Sequence, residues 1–275
     1  MRMLFAMLAG LSLAACSQPE QRAEDEPRRI VSLDYCADQY VLKFAKREDI
    51  LALSPDATKA FSYMKRQAVG LPTVRPRTAD VLVLRPNLVV RSYGGGQGIE
   101  KALQQSGIPL LQIGYPETVG DIRAETLRMG SALGAPVKAR DVVAEMDARL
   151  NALAKQAKPG RKVLYMTPTG VTAGEATLVH EMLLAAGFKN FQDRPGWNPI
   201  PVERLAYEQP DLIAAAFFES TAGQIDNWSA ARHPVVQAQL HELPVVALQG
   251  AWTSCGGWFL LDAIEALANA RQATS

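Results

Sequence analysis

The stretch from Ala135 to Gly160, APVKARDVVAEMDARLNALAKQAKPG, limits what this chain can become more than any other. Ala139, Val142, Val143, Met146, Leu150, Leu153, Ala154 and Ala157 recur at steps of three and four, the period of an amphipathic helix. Pro136 suits a first helical turn, and Pro159-Gly160 is a stop. Lys155 and Lys158 fall in the last turn, where the helix dipole favours cations. With a rise of about 1.5 Å per residue, such a helix reaches roughly 30 Å, the width of a small domain. The sequence before it resembles the sequence after it. The stretch therefore predicts a stiff bar, residues 136–158, between two similar lobes, residues 29–135 and 159–275. Function is then expected in the cleft between the lobes.

The N-terminus carries the most specific local signal. Met1-Arg2 is a short positive start, residues 3–15 are apolar and small, and Leu13-Ala14-Ala15-Cys16 ends the run. That order describes a secretory signal over residues 1–16. Its ending is similar to a bacterial lipobox, in which the cysteine is lipidated and becomes the new N-terminus. The other reading is an ordinary signal with a cysteine at its cleavage site. A lipid on Cys16 would tether the chain to a membrane without spanning it. Residues 17–28, polar and charged with two prolines, read as a flexible tether.

Beyond the tether the chain is predicted to be α/β. Apolar runs such as RIVSL (29–33), ILAL (50–53), NLVVR (87–91) and PLLQI (109–113) alternate with helical patterns. After the bar the pattern restarts with KVLYM (162–166), DLIAAA (211–216) and VVAL (245–248). Asp34 and Thr78 are candidate helix caps. An internal repeat supports the two-lobe reading. Asp80 opens a short helix closed by Pro86 before Asn87-Leu88-Val89-Val90, and Glu203 opens one closed by Pro210 before Asp211-Leu212-Ile213. Apolar residues are 48% of the chain, enough for two cores, and the net charge of +1 argues against a nucleic-acid surface. Beyond the leader no apolar run approaches the ~20 residues needed to cross a bilayer.

The order and spacing of these motifs resemble one family: the RIVSL strand, the Arg-Pro-Asn-Leu-Val-Val turn, Gly-Ile-Pro-Leu-Leu before a strand, and Gln-Pro-Asp-Leu-Ile. It is that of substrate-binding lipoproteins of bacterial ABC importers with a rigid helix between the lobes, which carry cobalamin, ferric siderophores, haem or metal ions. The resemblance covers about residues 29–270. It implies two α/β lobes with mostly parallel sheets, a monomer held at a bacterial membrane on the periplasmic side, and delivery to a permease driven by its own ATPase. It also implies docking on permease arginines through one acid per lobe, seven residues before the helix-ending proline. Glu203 matches that place; in the N-lobe the place is Ala79, and Asp80 is one residue late. The family uses no enzymatic cofactor.

Ligands of open α/β sheets meet the loops at the carboxyl ends of strands. By that rule Tyr63, Arg91, Tyr93, Trp197 and Trp252 are expected to line the cleft, as aromatic faces and one cation. Trp228 and Trp258 are expected to pack structurally. A metal-chelate ligand, corrinoid or ferric siderophore, is preferred over a bare ion, because His180, His233 and His241 do not sit at clear strand ends. Arg91 and Arg75 would pair with an anionic chelate. Cys36 and Cys255 leave three alternatives open: small buried hydrophobes, a disulfide pinning the lobes, or soft ligands to a bound metal centre. The rival class is an exported enzyme with Cys255 as nucleophile and His233 as base. A purely structural envelope lipoprotein is a further rival.

Overall fold

The computed structural model describes residues 27–93, 95–96, 98–156, 160–216 and 229–273. The leader, Cys16, most of the tether and Trp228 lie outside them.

The first lobe is built on a parallel sheet of β1 (Ile30–Ser32), β2 (Ile50–Ala52), β3 (Leu88–Arg91) and β4 (Leu110–Gln112), in the order β2-β1-β3-β4. Between and after the strands run α1 (Tyr35–Phe44), α2 (Lys65–Ala68), α3 (Thr78–Val83), α4 (Ile99–Gln105) and α5 (Val119–Ala132). Then comes α6 (Pro136–Gln156), unbroken over 21 residues. The second lobe contains β5 (Lys162–Met166), β6 (Val171–Ala173), α7 (Leu178–Ala185), β7 (Lys189–Asn190), β8 (Trp197–Pro199), α8 (Val202–Leu205) and β9 (Leu212–Ala216). It closes with α9 (Pro234–Glu242), β10 (Val245–Leu248), α10 (Gly250–Thr253) and α11 (Leu260–Ala273). Its parallel sheet has the order β7-β5-β9-β10. Counted along each lobe, both sheets run second, first, third, fourth. The repeat read in the sequence is thus a repeat of topology: α3 leads to β3 as α8 leads to β9, and Leu88 faces Ile30 as Leu212 faces Val163.

Local chemistry explains most boundaries. Asp34 caps α1, its Oδ1 accepting from the backbone N–H of Cys36 and Ala37. Thr118 and Asp121 form a reciprocal capping box on α5. Thr78 does not cap α3; it is already the first helical residue, and Arg77 holds the cap position without a side-chain bond. Sequence reading also missed the antiparallel ribbon β6–β8, which places Trp197 at a strand end rather than on a loop. Its three-residue strands are too short for alternation to show. Pro27 and Arg28, expected in the tether, are already held on the lobe: Asn87 Nδ2 donates to the Pro27 carbonyl, and Arg28 Nη1 to that of Ala132.

The bar buries Ala139, Val142 and Met146, one stripe of the expected periodicity. It lies close on α5, where a Cβ on Gly130 would sit 2.2 Å from the Ala139 Cβ. Only two small side chains permit that approach. Further along, Arg149 donates to both Asp262 Oδ1 and Glu265 on α11, each at 2.7 Å. Tyr63, from the first lobe, donates to Asp262 Oδ2 at 3.0 Å. These bonds tie bar, C-terminal helix and first lobe together.

Two outcomes test this packing. Gly130→Val is expected to destabilise the protein by about 1–3 kcal/mol through overpacking, and Ala139→Gly in the same chain to recover part of the loss, read from urea unfolding midpoints. The second concerns Asp38, fully buried on α1, which accepts from Ser54 Oγ at 2.6 Å and Ser54 N at 3.1 Å. Burial pushes its carboxyl up to about 6 despite those bonds. The native state therefore holds this proton more tightly than the unfolded chain, whose Asp titrates near 4. Its contribution is most favourable below about pH 4 and is lost as pH rises to about 6, on the order of 3 kcal/mol. Asp38→Asn is expected to gain stability over the natural chain at pH 8 relative to pH 4.5, measured as the difference between their unfolding free energies.

Candidate ligand-binding cleft

At the carboxyl end of β1 the buried Asp34 gathers two strands. Besides capping α1 it accepts from Ser92 N and Ser92 Oγ, both at 2.7 Å, just past β3. Cys36 and Tyr93 are thereby set side by side at the top of the first sheet. Gly95 has to be glycine here, because a Cβ would lie 2.6 Å from Asp34 Oδ2. In the second lobe, the chain leaves β10 through α10 and turns back at Ser254-Cys255-Gly256-Gly257 towards α1. Gly256 allows that turn to touch Pro116 of the first lobe; a Cβ there would come within 2.1 Å of the proline ring.

Between these ends lies a cavity with room for water-sized occupants of about 230 Å³, or about 960 Å³ of empty space counting its open mouth. The larger figure is in the range of small-molecule sites. Both lobes line it: Tyr40, Ser92, Tyr93 and residues 113–116 from the first, and Tyr165, Thr167, α7, Trp197 and residues 253–256 from the second. Tyr93 and Tyr115 meet edge to face at 5.5 Å on one side of the mouth. Trp197 stands on the other, 6.2 Å from the ring of Tyr165. Tyr93, Tyr115 and Trp197 are each more than half exposed, which is unusual for such large rings. Tyr165 and Tyr40 form buried wall, and burial holds both phenols far above the usual range. Tyr93 is also raised, by burial first and then by Tyr115 and Asp34. Tyr40, Tyr93 and Tyr165 are therefore neutral hydroxyls at physiological pH. No Asp, Glu, Lys, Arg or His lines the cavity among the described residues.

The residues anticipated from sequence divide here. Tyr93, Trp197, Cys36 and Cys255 line the cavity. Tyr63 does not: it stacks on Phe259 at 4.7 Å and is bonded to Asp262. Arg91 turns sideways, bonded to Gln112, to Glu100 and to the carbonyls of Gly95 and Gly96. Arg75 is paired with Asp80 at 2.9 Å. Trp252 packs half-buried against the core, leaving its neighbours Thr253 and Ser254 to face the cavity. Trp258 packs structurally, against Tyr40, Phe44 and Phe259. Tyr115 was missed, although it follows β4 as Tyr93 follows β3 and the same strand-end rule finds it. Tyr165 lies inside a strand and gave no such signal.

Of the three alternatives for the cysteines, the structure takes the disulfide. Cys36 and Cys255 are joined across the lobes with Cα atoms 5.6 Å apart. Their sulfurs are not free ligands, and Cys255 has no thiol with which to act as a nucleophile. His233, its imagined base, instead accepts from Val235 N at the start of α9. Asp80 and Glu203 lie on α3 and α8, in the first helical turn of each. Asp80 is engaged by Arg75, whereas Glu203 is exposed.

Comparison with known proteins agrees with this architecture. A curated relative from Bacillus subtilis (strain 168), the uncharacterized ABC transporter substrate-binding lipoprotein YvrC, is 24% identical over 209 residues, 72% of this chain. The match spans 66% of YvrC, just under two thirds of its length. Among solved structures, the apo periplasmic heme-binding protein RhuT from Roseiflexus sp. RS-1 superposes with a TM-score of 0.68 at 23% identity, covering 89% of this chain and 99% of RhuT. The periplasmic vitamin B12 binding protein BtuF of Vibrio cholerae gives 0.67 at 19% identity, covering 90% and 98%. These two likenesses establish the fold. The model of the periplasmic binding protein family matches residues 30–224, most of the chain and parts of both lobes, and the chain belongs to that family.

Proposed function

We propose that this protein is the substrate-binding component of an ABC importer, and that it carries an uncharged, ring-bearing metal chelate of the corrinoid type. The observation that carries the reading is the cavity between the lobes, walled by aromatic rings and hydroxyls with no charged side chain among the described residues. Flat rings at the mouth suit the faces of a macrocycle. Hydroxyls of Ser92, Thr167, Thr253 and Ser254 suit neutral amide arms, which both donate and accept. An anionic chelate would need a counter-charge, and the cations assigned to that task, Arg91 and Arg75, are spent on Glu100 and Asp80. The name given to YvrC supports the importer role, and those of RhuT and BtuF support a macrocyclic ligand. Haem, with its carboxylates turned out of the mouth, is the second reading, favoured by the paired phenols of Tyr93 and Tyr115.

In this reading the chain works as a monomer on the periplasmic side of a bacterial membrane, held by a lipid on Cys16. It performs no chemistry on its ligand. The loaded protein docks on the permease, and the ATPase of that complex supplies the work. Glu203 is the C-lobe contact, being exposed at the start of α8. Asp80 is the N-lobe contact only if it exchanges Arg75 for an arginine of the permease.

Two experiments test these assignments. Quenching of tryptophan fluorescence is expected on titration with cyanocobalamin, because Trp197 stands at the mouth. The combined change Tyr93→Ala and Tyr115→Ala is expected to weaken that binding at least tenfold, while Trp252→Ala leaves it within about threefold. Binding of haemin or a ferric catecholate without cyanocobalamin would overturn the corrinoid assignment, and binding of none of them would remove the chelate reading. Separately, Glu203→Ala is expected to leave ligand affinity unchanged yet lower uptake into vesicles containing the cognate permease. Loss of binding in that variant would refute the docking role.

A further inference from the structure

The lobes are not joined evenly around the cleft. Cross-lobe hydrogen bonds gather on one side: Tyr35 Oη to the Ser254 carbonyl at 3.5 Å, Tyr40 Oη to that of Gly256 at 3.3 Å, and Ser254 Oγ to that of Phe61 at 3.0 Å. Tyr63 with Asp262 continues the same seam. Tyr93 and Tyr115, at the mouth, make no hydrogen bond to the second lobe among the described residues. Few polar contacts therefore hold the two walls of the cavity to one another. Away from the cavity the lobes are held by packed rings, Trp258 on Tyr40 and Phe44 and Phe259 on Tyr63, but at the Ser254–Gly256 turn the hydrogen bonds are few and two of them are long. One link in the seam is different in kind. The Cys36–Cys255 bond is covalent, both residues line the cavity, and they are only 6% and 8% exposed.

We propose that this cystine is the positioning element of the binding site: oxidised, it holds the Ser254–Gly257 turn against α1 at ligand-binding separation, and reduced, it frees that turn so that the site loses affinity without the lobes unfolding or parting. Each lobe keeps its own sheet, and the largest apolar core runs through both lobes around the cystine, so the halves stay packed together without the bond. What the bond fixes is the relation of the first turn of α1 to the Ser254–Gly257 turn. That turn carries Gly256 against Pro116 and presents Thr253 and Ser254 to the ligand. Reduction by a dithiol is balanced: two electrons and two protons pass to the cystine, leaving thiols on Cys36 and Cys255, while the dithiol's own sulfurs join. Oxidised glutathione reverses the step by exchange. The binding site would then be complete only in an oxidising compartment, and precursor still in the cytoplasm would hold its cleft in the low-affinity form.

The test compares the oxidised protein, the protein treated with dithiothreitol until two additional thiols are titrated, and the variant Cys36→Ser/Cys255→Ser. Amide hydrogen exchange is followed at residues 114–115 and 254–257 and in strands β1, β3, β5 and β9. Affinity is measured for cyanocobalamin and haemin. Expected are at least tenfold faster exchange at residues 114–115 and 254–257 with strand protection retained, at least tenfold weaker binding of whichever probe the oxidised protein takes, and recovery of both on reoxidation. Seam exchange and affinity unchanged within twofold would overturn the proposal, as would an equal rise in exchange throughout the strands, which marks a staple of global stability only. Should the oxidised protein bind neither probe, the ligand assignment above fails and the seam exchange alone decides the positioning role.

Discussion

The carboxylate of Asp262 receives the bar through Arg149 and the first lobe through Tyr63, while itself belonging to the last helix of the second. Three parts of the chain, far apart in sequence, converge on one side chain. The Glu265 carboxyl shares the guanidinium, and its acidity is strengthened by it. A long helix alone would fix how far apart two lobes stand but not how they are turned about its axis. Contacts at Asp262, with Phe259 stacked on Tyr63, fix the turn. Once that angle is set, the carboxyl ends of both parallel sheets open towards one another, and the loops that leave them have no other place to go than the cleft.

The fold was legible because its signals are long or repeated. Eight apolar residues at helical spacing announce the bar; seven fall in α6, of which three are buried, and Ala157, with Lys158 and the Pro159 stop, lies outside the described residues. The duplicated helix-proline-strand unit announced a second lobe before any strand order was known, and both sheets then shared one order. What escaped was short. Strands β6 and β8 have three residues each, fewer than periodicity can distinguish from a turn, yet they set the position of Trp197. A sequence pattern reports on elements that repeat it; a ribbon that exists only because its neighbours hold it leaves no such trace.

The site was legible in part, and the division has a physical basis. Residues two or three positions beyond a strand are carried into the cleft here, so Tyr93 could be read, and Tyr115 could have been. Side chains with a nearer partner are placed by that partner instead. Arg91 meets Glu100 and Gln112; Tyr63 meets Asp262; Trp252 meets the core. A cation or an aromatic ring in a loop is a candidate only until a nearer partner is found, and the sequence does not show partners. For the cysteines the obstacle was distance: 219 residues separate them, and only the folded lobes bring their Cα atoms to 5.6 Å.

The same arrangement resolves an apparent conflict between a covalent link across a binding cleft and the need to admit a ligand. A bond at the mouth would bar entry, whereas a bond at the seam removes sideways and separating motions and leaves rotation about itself. Tyr93 and Tyr115, the rings that would have to move for a macrocycle, pack on each other and are more than half exposed, so they can shift while the cystine stays closed. Fixing one edge also reduces the entropy that closure must overcome, because the walls begin near their final spacing. A cleft with no charged group among its described lining residues gains little from them by long-range attraction, so affinity there has to come from fit and preorganisation. On this argument the cystine and the uncharged wall belong to one design: the less a site can draw on electrostatics, the more it depends on having its surfaces held in register.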